Sequence, residues 1–159
     1  DYDNALDHWK KSLLIHNEID DKPMIGFDLN NIGIAHYYKG NYEKAEAYLE
    51  KSLSIQKENR VQGIELETTI FLYLHNKHLG KAYDKKTIHT LIKENENIDA
   101  YLEYDLNYPL YQLLEDKSYL ETAYNQIQEN ASAMDEDLAK KFLSYPIPKA
   151  IVEEWEKVN

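Results

Sequence analysis

Two stretches of the sequence repeat each other at a fixed distance. Residues 1–15 align with residues 41–55, so the second copy begins 40 residues after the first. In each copy the apolar residues return every three or four positions, which is typical of an amphipathic helix. A chain built from such units buries its apolar faces by stacking one unit on the next. The identical pairs are Tyr2 and Tyr42, Ala5 and Ala45, Lys11 and Lys51, Ser12 and Ser52, Leu13 and Leu53, and Ile15 and Ile55.

A second helix is predicted immediately before the second copy. Apolar residues follow helical spacing between residues 29 and 37, and the pattern stops at Gly40. Glycine at this place suits a left-handed C-cap, and Asn41 can cap the helix that follows. Gly33 and Ala45 are small enough for the two helices to approach each other closely. The predicted unit is therefore a helical hairpin.

Residues 29–53 of this hairpin resemble a tetratricopeptide repeat. Gly33 and Ala45 match the family's signature, other residues replace it at the remaining positions, and Lys57 stands where the family has a proline. The family's unit has about 34 residues, so a 40-residue period implies longer helices or a longer link over residues 17–23. In the family's order, the signature positions are occupied here by Leu29, Ile32, Gly33, His36, Ala45, Leu49 and Ser52.

The resemblance implies an all-α fold in which helical hairpins stack into a right-handed α-α superhelix closed by a C-terminal capping helix pair. One tetratricopeptide-like domain is expected over residues 1–159. Because the sequence begins within a repeat and without Met, we expect it to be the C-terminal part of a longer array. The predicted segments are 1–16 as the second helix of a truncated repeat, 25–57 as the best-preserved repeat, 62–95 as a degenerate repeat, 98–134 as a further hairpin, and 135–159 as the cap.

Local signals predict several helix ends in the second half of the chain. Pro109 predicts that its helix is kinked or begins near Asn107. Ser118 opens a capping-box pattern, and Asp135 can cap a helix that runs through Leu143. The residues that follow Leu143 break this helix, and the last helix is predicted to begin at Pro148 or Lys149.

Residues 141–155 also resemble the C-terminal ends of large bacterial signalling proteins. In those proteins a nucleotide cyclase or ATPase domain precedes a tetratricopeptide array. None of the catalytic residues of such domains lies in this sequence, so their activity is not expected of it.

Composition restricts the class of partner. The chain has 18 Lys and Arg against 29 Asp and Glu, for a formal net charge of -11. Phosphate backbones and anionic lipid headgroups are repelled by such a surface, so neither nucleic acid nor a membrane is expected as a partner. The absence of Cys excludes thiolate chemistry and is consistent with a reducing, cytoplasmic location.

No motif predicts catalysis, a metal or a cofactor. His75 and His78 lie three residues apart, but a tight metal site needs a third ligand. The glycines never cluster as a phosphate-binding loop, and Cys-based or GxSxG nucleophiles are missing. Carboxylate pairs such as Glu65 with Glu67, or Asp135 with Asp137, are more simply a charged helix face or a cap. The chain is therefore predicted not to be an enzyme, with no catalytic residues, no metal and no cofactor.

A binding surface is what the resemblance implies instead. In the family, the first helices of successive repeats line a concave groove that holds a peptide or a partner helix. Ile34, Ile70 and Leu74 are equally compatible with core positions. By resemblance, the groove residues are Phe27, Asn30, Asn31, Ile34, Tyr37, Tyr38, Glu67, Ile70, Leu74 and Lys77.

Two functions are consistent with these features. The first is a protein-interaction or regulatory module that binds a protein or peptide. The second is an intramolecular structural or dimerisation arm of a larger signalling enzyme such as a cyclase or ATPase. We also expect exposed apolar surface near Trp9 and Leu13, through which a homodimer could form.

Overall fold

The computed structural model describes residues 1–59, 64–94 and 102–159. Over these residues the chain forms nine α-helices and no strand, so the all-α, tetratricopeptide-like fold class is confirmed. The predicted segment limits at residues 62, 95 and 98 lie outside the described ranges. The helices are α1 (Tyr2–Glu18), α2 (Lys22–Tyr38), α3 (Tyr42–Asn59), α4 (Ile64–His78), α5 (Lys85–Glu94), α6 (Tyr104–Leu114), α7 (Lys117–Ser132), α8 (Glu136–Leu143) and α9 (Pro146–Val158).

The chain divides into two compact units. The first unit runs from Asp1 to Glu96 and contains α1–α5, and the second runs from Asn97 to Asn159 and contains α6–α9. In the first unit α2 packs against α1, α3 and α4, which makes it the central helix. The assignment of one domain to residues 1–159 stays a prediction.

The α2–α3 hairpin is held together at its glycine. A Cβ added to Gly33 would lie 2.6 Å from Cγ of Leu49, and Leu49 and Ala45 are both fully buried. The predicted close approach of the two helices is thus confirmed at Gly33, and Ala45 is buried in the same hairpin. Only residues 19–21 link α1 to α2, so the long period comes from long helices and not from a long link.

The turn that ends α2 is repeated at the end of α4. Gly40 and Gly80 have φ values of +74° and +66°, a left-handed conformation that glycine adopts without steric cost. After each glycine, the next amide donates to the carbonyl five residues earlier, at 2.9 and 2.8 Å. These are Schellman caps, and they satisfy carbonyls that a helix end otherwise leaves unpaired.

Ring contacts also recur at the 40-residue distance. Tyr2 stacks on Tyr38 with ring centroids 5.8 Å apart, and the counterpart pair, Tyr42 and His78, has centroids 4.6 Å apart. The repeat therefore extends into α4, where the sequence signature is weak. Tyr73 occupies the position that corresponds to Gly33, and this large side chain explains why the third repeat looks degenerate.

The second unit has its own core of Leu120, Ala123, Ile127 and Ile151. Asp135 caps α8 by accepting a hydrogen bond from the Leu138 amide at 2.9 Å, as predicted. No helix in the described part of the chain is long and apolar enough to cross a membrane.

Two predicted helix starts in this unit are wrong, and so is one of the two alternatives predicted for the helix around Pro109. α6 begins at Tyr104 and carries Pro109 inside it, so the predicted start near Asn107 is wrong, while the predicted kink at this proline stays a prediction. α7 is capped by Asp116, whose Oδ1 accepts from the Ser118 amide at 3.0 Å, so Ser118 is not the cap. α9 begins at Pro146, because proline at the first helical position loses no hydrogen bond.

Candidate functional site

One side of α2 remains accessible although the helix is central. Between Ile25 and Tyr38 nine residues are buried, and only five are not. Four of these five follow spacings of four, three and four residues and therefore share one side of the helix. We call this set the α2 face. It consists of Phe27, Asn31, Ile34, Tyr37 and Tyr38.

Aromatic side chains of α1 border the α2 face on one side. The ring of Trp9 meets the ring of Phe27 edge-on, with centroids 5.5 Å apart. At the other end of the face, Tyr2 stacks on Tyr38. Tyr2 and Trp9 are both partly exposed, so they extend the aromatic surface. The contacts of Tyr2 and Trp9 with α2 could not be predicted, because spacing along one helix does not show which residues of another helix it meets. The alignment of Tyr2 with Tyr42 showed only that Tyr2 occupies a repeated position.

Phe71 of α4 borders the α2 face on the other side. Its ring lies edge-on to Tyr37 and Tyr38, at centroid distances of 5.4 and 5.6 Å. Phe71 is 2% exposed, so it packs against the two tyrosines without contributing to the accessible surface. Edge-on pairs of this kind stabilise by about 1 kcal/mol beyond the area they bury.

The phenols of Tyr37 and of the bordering Tyr2 remain protonated at neutral pH, because the pKa of each is raised. Burial, with a smaller contribution from Tyr42, raises the pKa of Tyr37 to about 12. Burial also raises the pKa of Tyr2. A protonated phenol both donates and accepts hydrogen bonds, so these residues offer apolar area together with polar groups.

Asn30 does not belong to the accessible surface, contrary to the prediction. Its side chain is fully buried, with Nδ2 donating to Oε2 of Glu67 at 2.6 Å and Oδ1 accepting from Thr68 at 2.8 Å. The amide therefore joins α2 to α4, because a buried polar group has to find partners inside the protein.

Two of the four residues predicted for the α4 part of the groove are interior. Ile70 is fully buried and Leu74 is 5% exposed, so neither is available to a partner. α5 packs on α4 and contributes buried Ile88 and Leu91, so the core continues past α4. Glu67 and Lys77 are partly exposed, and their role in binding stays a prediction.

A buried polar pair joins α1 to α2 and was not found from the sequence. Nδ1 of His16 lies 2.6 Å from Oδ2 of Asp28, which is fully buried. Ser12 is 3.4 Å from the same nitrogen, so serine and aspartate do not flank opposite nitrogens as a proton-transfer triad requires. The counterparts of His16 and Asp28 in the next repeat, 40 residues later, are Gln56 and Thr68. Nε2 of Gln56 donates a hydrogen bond to Oγ1 of Thr68 at 2.9 Å.

The members of the histidine pair and of the Glu65–Glu67 pair, neither of which is predicted to be a functional site, differ in their surroundings. His75 is buried while His78 is exposed, and the Tyr42 ring lies near both. Over the described ranges, no group of three or more His, Cys, Asp or Glu residues is placed to hold a metal ion. Glu65 lies 3.9 Å from Lys57, whereas Glu67 accepts the bond from the Asn30 side chain described above.

The exposed apolar surface of α1 is not where it was predicted. Trp9 and Leu13 are partly buried and pack against the cluster of Leu6, Ile32 and Ala35, because they face α2. The strongly exposed apolar residues are Leu14 and Ile15 of this helix and Ile19, which directly follows its last residue.

Comparison with known proteins finds a family match over the first three helices. Residues 1–58 match the family model of the tetratricopeptide repeat. No curated protein and no solved structure matches the chain. The match supports tetratricopeptide-type repeats in α1–α3, the helices that build and border the α2 face.

Proposed function

We propose that this chain is a protein-binding module that holds a peptide or a partner helix against the α2 face. One observation carries the proposal: between Ile25 and Tyr38 of this central helix nine residues are buried, and four of the five accessible residues share one side. Tetratricopeptide repeats generally mediate protein–protein interaction, and the family match covers this helix.

The chemistry of the α2 face suits a polypeptide ligand. Tyr37 and Tyr38 present large, rigid rings with polar ends, and aromatic residues of this kind dominate the centres of protein interfaces. Asn31 donates one hydrogen bond to the Phe27 carbonyl at 2.9 Å, which fixes the orientation of its amide. We infer that its remaining polar groups bond the backbone of the peptide.

Catalysis is not part of this proposal. The buried Asp28 and Asn30 beside the α2 face are hydrogen-bonded to the partly exposed His16 and Glu67 of neighbouring helices. The alternative of a structural arm within a larger signalling enzyme stays a prediction.

The proposal is tested with peptides selected from a random display library on the whole chain. The dissociation constant of a selected peptide is measured for the wild type, for Ile34→Ala and for Leu138→Ala. Ile34 lies in the middle of the α2 face, and we expect its truncation to weaken binding about 5-fold or more, as for a central interface residue.

Leu138 serves as the matched control because it is an exposed leucine of α8, in the other unit. Leu138→Ala is expected to leave the affinity unchanged, and circular dichroism checks that both variants are folded. Equal affinity of Ile34→Ala and the wild type, or failure of the library to yield any binder, would show the proposal to be wrong.

A further inference from the structure

The outward side of α1 is the most exposed apolar surface among the described residues. Leu14, Ile15 and Ile19 are 65%, 58% and 65% exposed, more than any other large apolar side chain of those ranges. Leu14 and Ile15 lie in the last turns of α1 and Ile19 is its C-cap, so the three form a patch, which is uncommon on a free surface.

The repeat supplies an internal comparison for this patch. The residues of α3 that correspond to Leu14 and Ile19 are Ser54 and Asn59, and both are polar and exposed. α3 keeps them exposed even though α2 and α4 pack against it. Packing within the repeat therefore does not explain why α1 has apolar residues at these two positions.

Opposite charges flank the patch at equal distances. Lys11 lies three residues before Leu14, and Glu18 lies three residues after Ile15. Both are exposed, and neither forms an ion pair with another residue of the described ranges. Both charged residues lie on the same side of α1 as Leu14 and Ile15. Lys11 and Glu18 are each three or four positions from Leu14 and Ile15, and seven positions from each other, and such spacings place residues on one side of a helix.

We propose that the chain forms a symmetric dimer in which α1 packs antiparallel against α1 of a second copy. A two-fold axis between Leu14 and Ile15 brings the apolar residues of the two helices together. The same axis places Lys11 opposite Glu18 of the partner subunit, and Glu18 opposite Lys11 of the partner subunit.

Self-complementarity favours a second copy over another partner. A basic partner would face Lys11 with like charge, and an acidic partner would do the same to Glu18. Only a surface with the opposite charge at each end satisfies both, and α1 itself has that arrangement in the antiparallel orientation. The net charge of -11 opposes self-association in general, so the contact depends on these local pairs.

The dimer is tested by sedimentation equilibrium of the whole chain with two charge reversals. Lys11→Glu and Glu18→Lys each turn both intermolecular pairs into like-charge pairs, and each alone is expected to weaken the dimer about 10-fold. When the two variants are mixed, every pair becomes attractive again, so a heterodimer of wild-type affinity is expected.

Lys51→Glu is the matched control, since Lys51 is the exposed counterpart of Lys11 on α3. This control should associate as the wild type does. The combined change of Leu14→Ser and Ile19→Asn, which copies the residues of α3, should abolish the dimer while circular dichroism shows an unchanged helix content.

Several outcomes overturn the proposal. If the wild type is monomeric at every concentration, the patch does not bind a second copy of the chain. Association that survives both charge reversals, that is lost equally in Lys51→Glu, or that is not restored by mixing would place the contact elsewhere.

Discussion

At the scale of the residue, the side chains of the α2 face depend on what lies beneath them. Tyr37 is in contact with Phe71, Tyr38 and Tyr42, and its burial is what raises the pKa of its phenol to about 12. In the unfolded chain the pKa of the same phenol is near the ordinary tyrosine value of 10.0. The unfolded state therefore loses its proton first as the pH rises.

This difference predicts how alkali affects stability. As pH rises from 10 to about 12, the free energy of unfolding should fall, because ionisation of Tyr37 favours the unfolded state. In Tyr37→Phe the fall should be shallower, while the two proteins should follow parallel curves below about pH 9. Urea unfolding followed by circular dichroism at each pH measures this, and parallel curves over the whole range would contradict it.

Gly33 and Gly26 provide a second prediction from single residues. A Cβ at Gly33 would lie 2.6 Å from the buried Leu49 side chain, whereas a Cβ at Gly26 would lie no closer than 3.4 Å to Ile55. Gly33→Ala should therefore cost about 1–3 kcal/mol by overpacking. Gly26→Ala should be neutral or stabilise by up to about 1 kcal/mol, since alanine favours a helix. Chemical denaturation measures the free energy of unfolding of both variants. Equal changes in the two variants would mean that Gly33 is not the close contact of the hairpin.

At the scale of the element, the first two repeats join their helices with different polar pairs at the same positions. His16 and Asp28 join α1 to α2, and the counterpart residues Gln56 and Thr68 join α3 to α4. The second pair is neutral, and it belongs to a wider set of hydrogen bonds that includes Asn30. Both pairs of helices therefore have a polar contact at the corresponding position, although the residues that form it differ.

Exchange of one pair for the other tests this equivalence. His16→Ala should cost about 2–4 kcal/mol, because it leaves the buried Asp28 without its partner. The double change of His16→Gln with Asp28→Thr, which copies the α3–α4 pair, should lie within about 1 kcal/mol of the wild type. Thermal and urea unfolding give both values. A double variant as unstable as His16→Ala would show that the two contacts are not equivalent.

At the scale of the whole molecule, charge sets the kind of partner that arrives. A chain of net charge -11 attracts basic polypeptides and repels acidic ones. Peptides that bind the α2 face should therefore carry net positive charge. Their association rate constant should fall about 10-fold between low and high salt, as screening shortens the reach of the field. Stopped-flow fluorescence measures the rate, and a rate independent of salt would contradict the prediction.

Repetition made the first unit predictable from sequence, because the 40-residue distance relates α1 to α3 and α2 to α4. Five of the six groove residues predicted on α2 are the accessible ones. The sixth, Asn30, could not be recognised as buried, since its partners Glu67 and Thr68 lie on another helix. Burial of Ile70 and Leu74 was hidden for the same reason, because it depends on tertiary packing and not on spacing.

The second unit was less predictable because no repeat relates its helices. Its caps follow local chemistry in which neighbouring candidates compete, as Asp116 and Ser118 do before α7. The aspartate prevails because its carboxylate accepts hydrogen bonds from both the amide and the hydroxyl of Ser118.

The most direct test of the central claim is a map of amide chemical shifts as a selected peptide is added to the isotope-labelled chain. Binding at the α2 face predicts that the largest changes fall on Phe27, Asn31, Ile34, Tyr37 and Tyr38 and on the bordering Tyr2 and Trp9. Changes confined to α6–α9, or to the outward side of α1, would contradict the account.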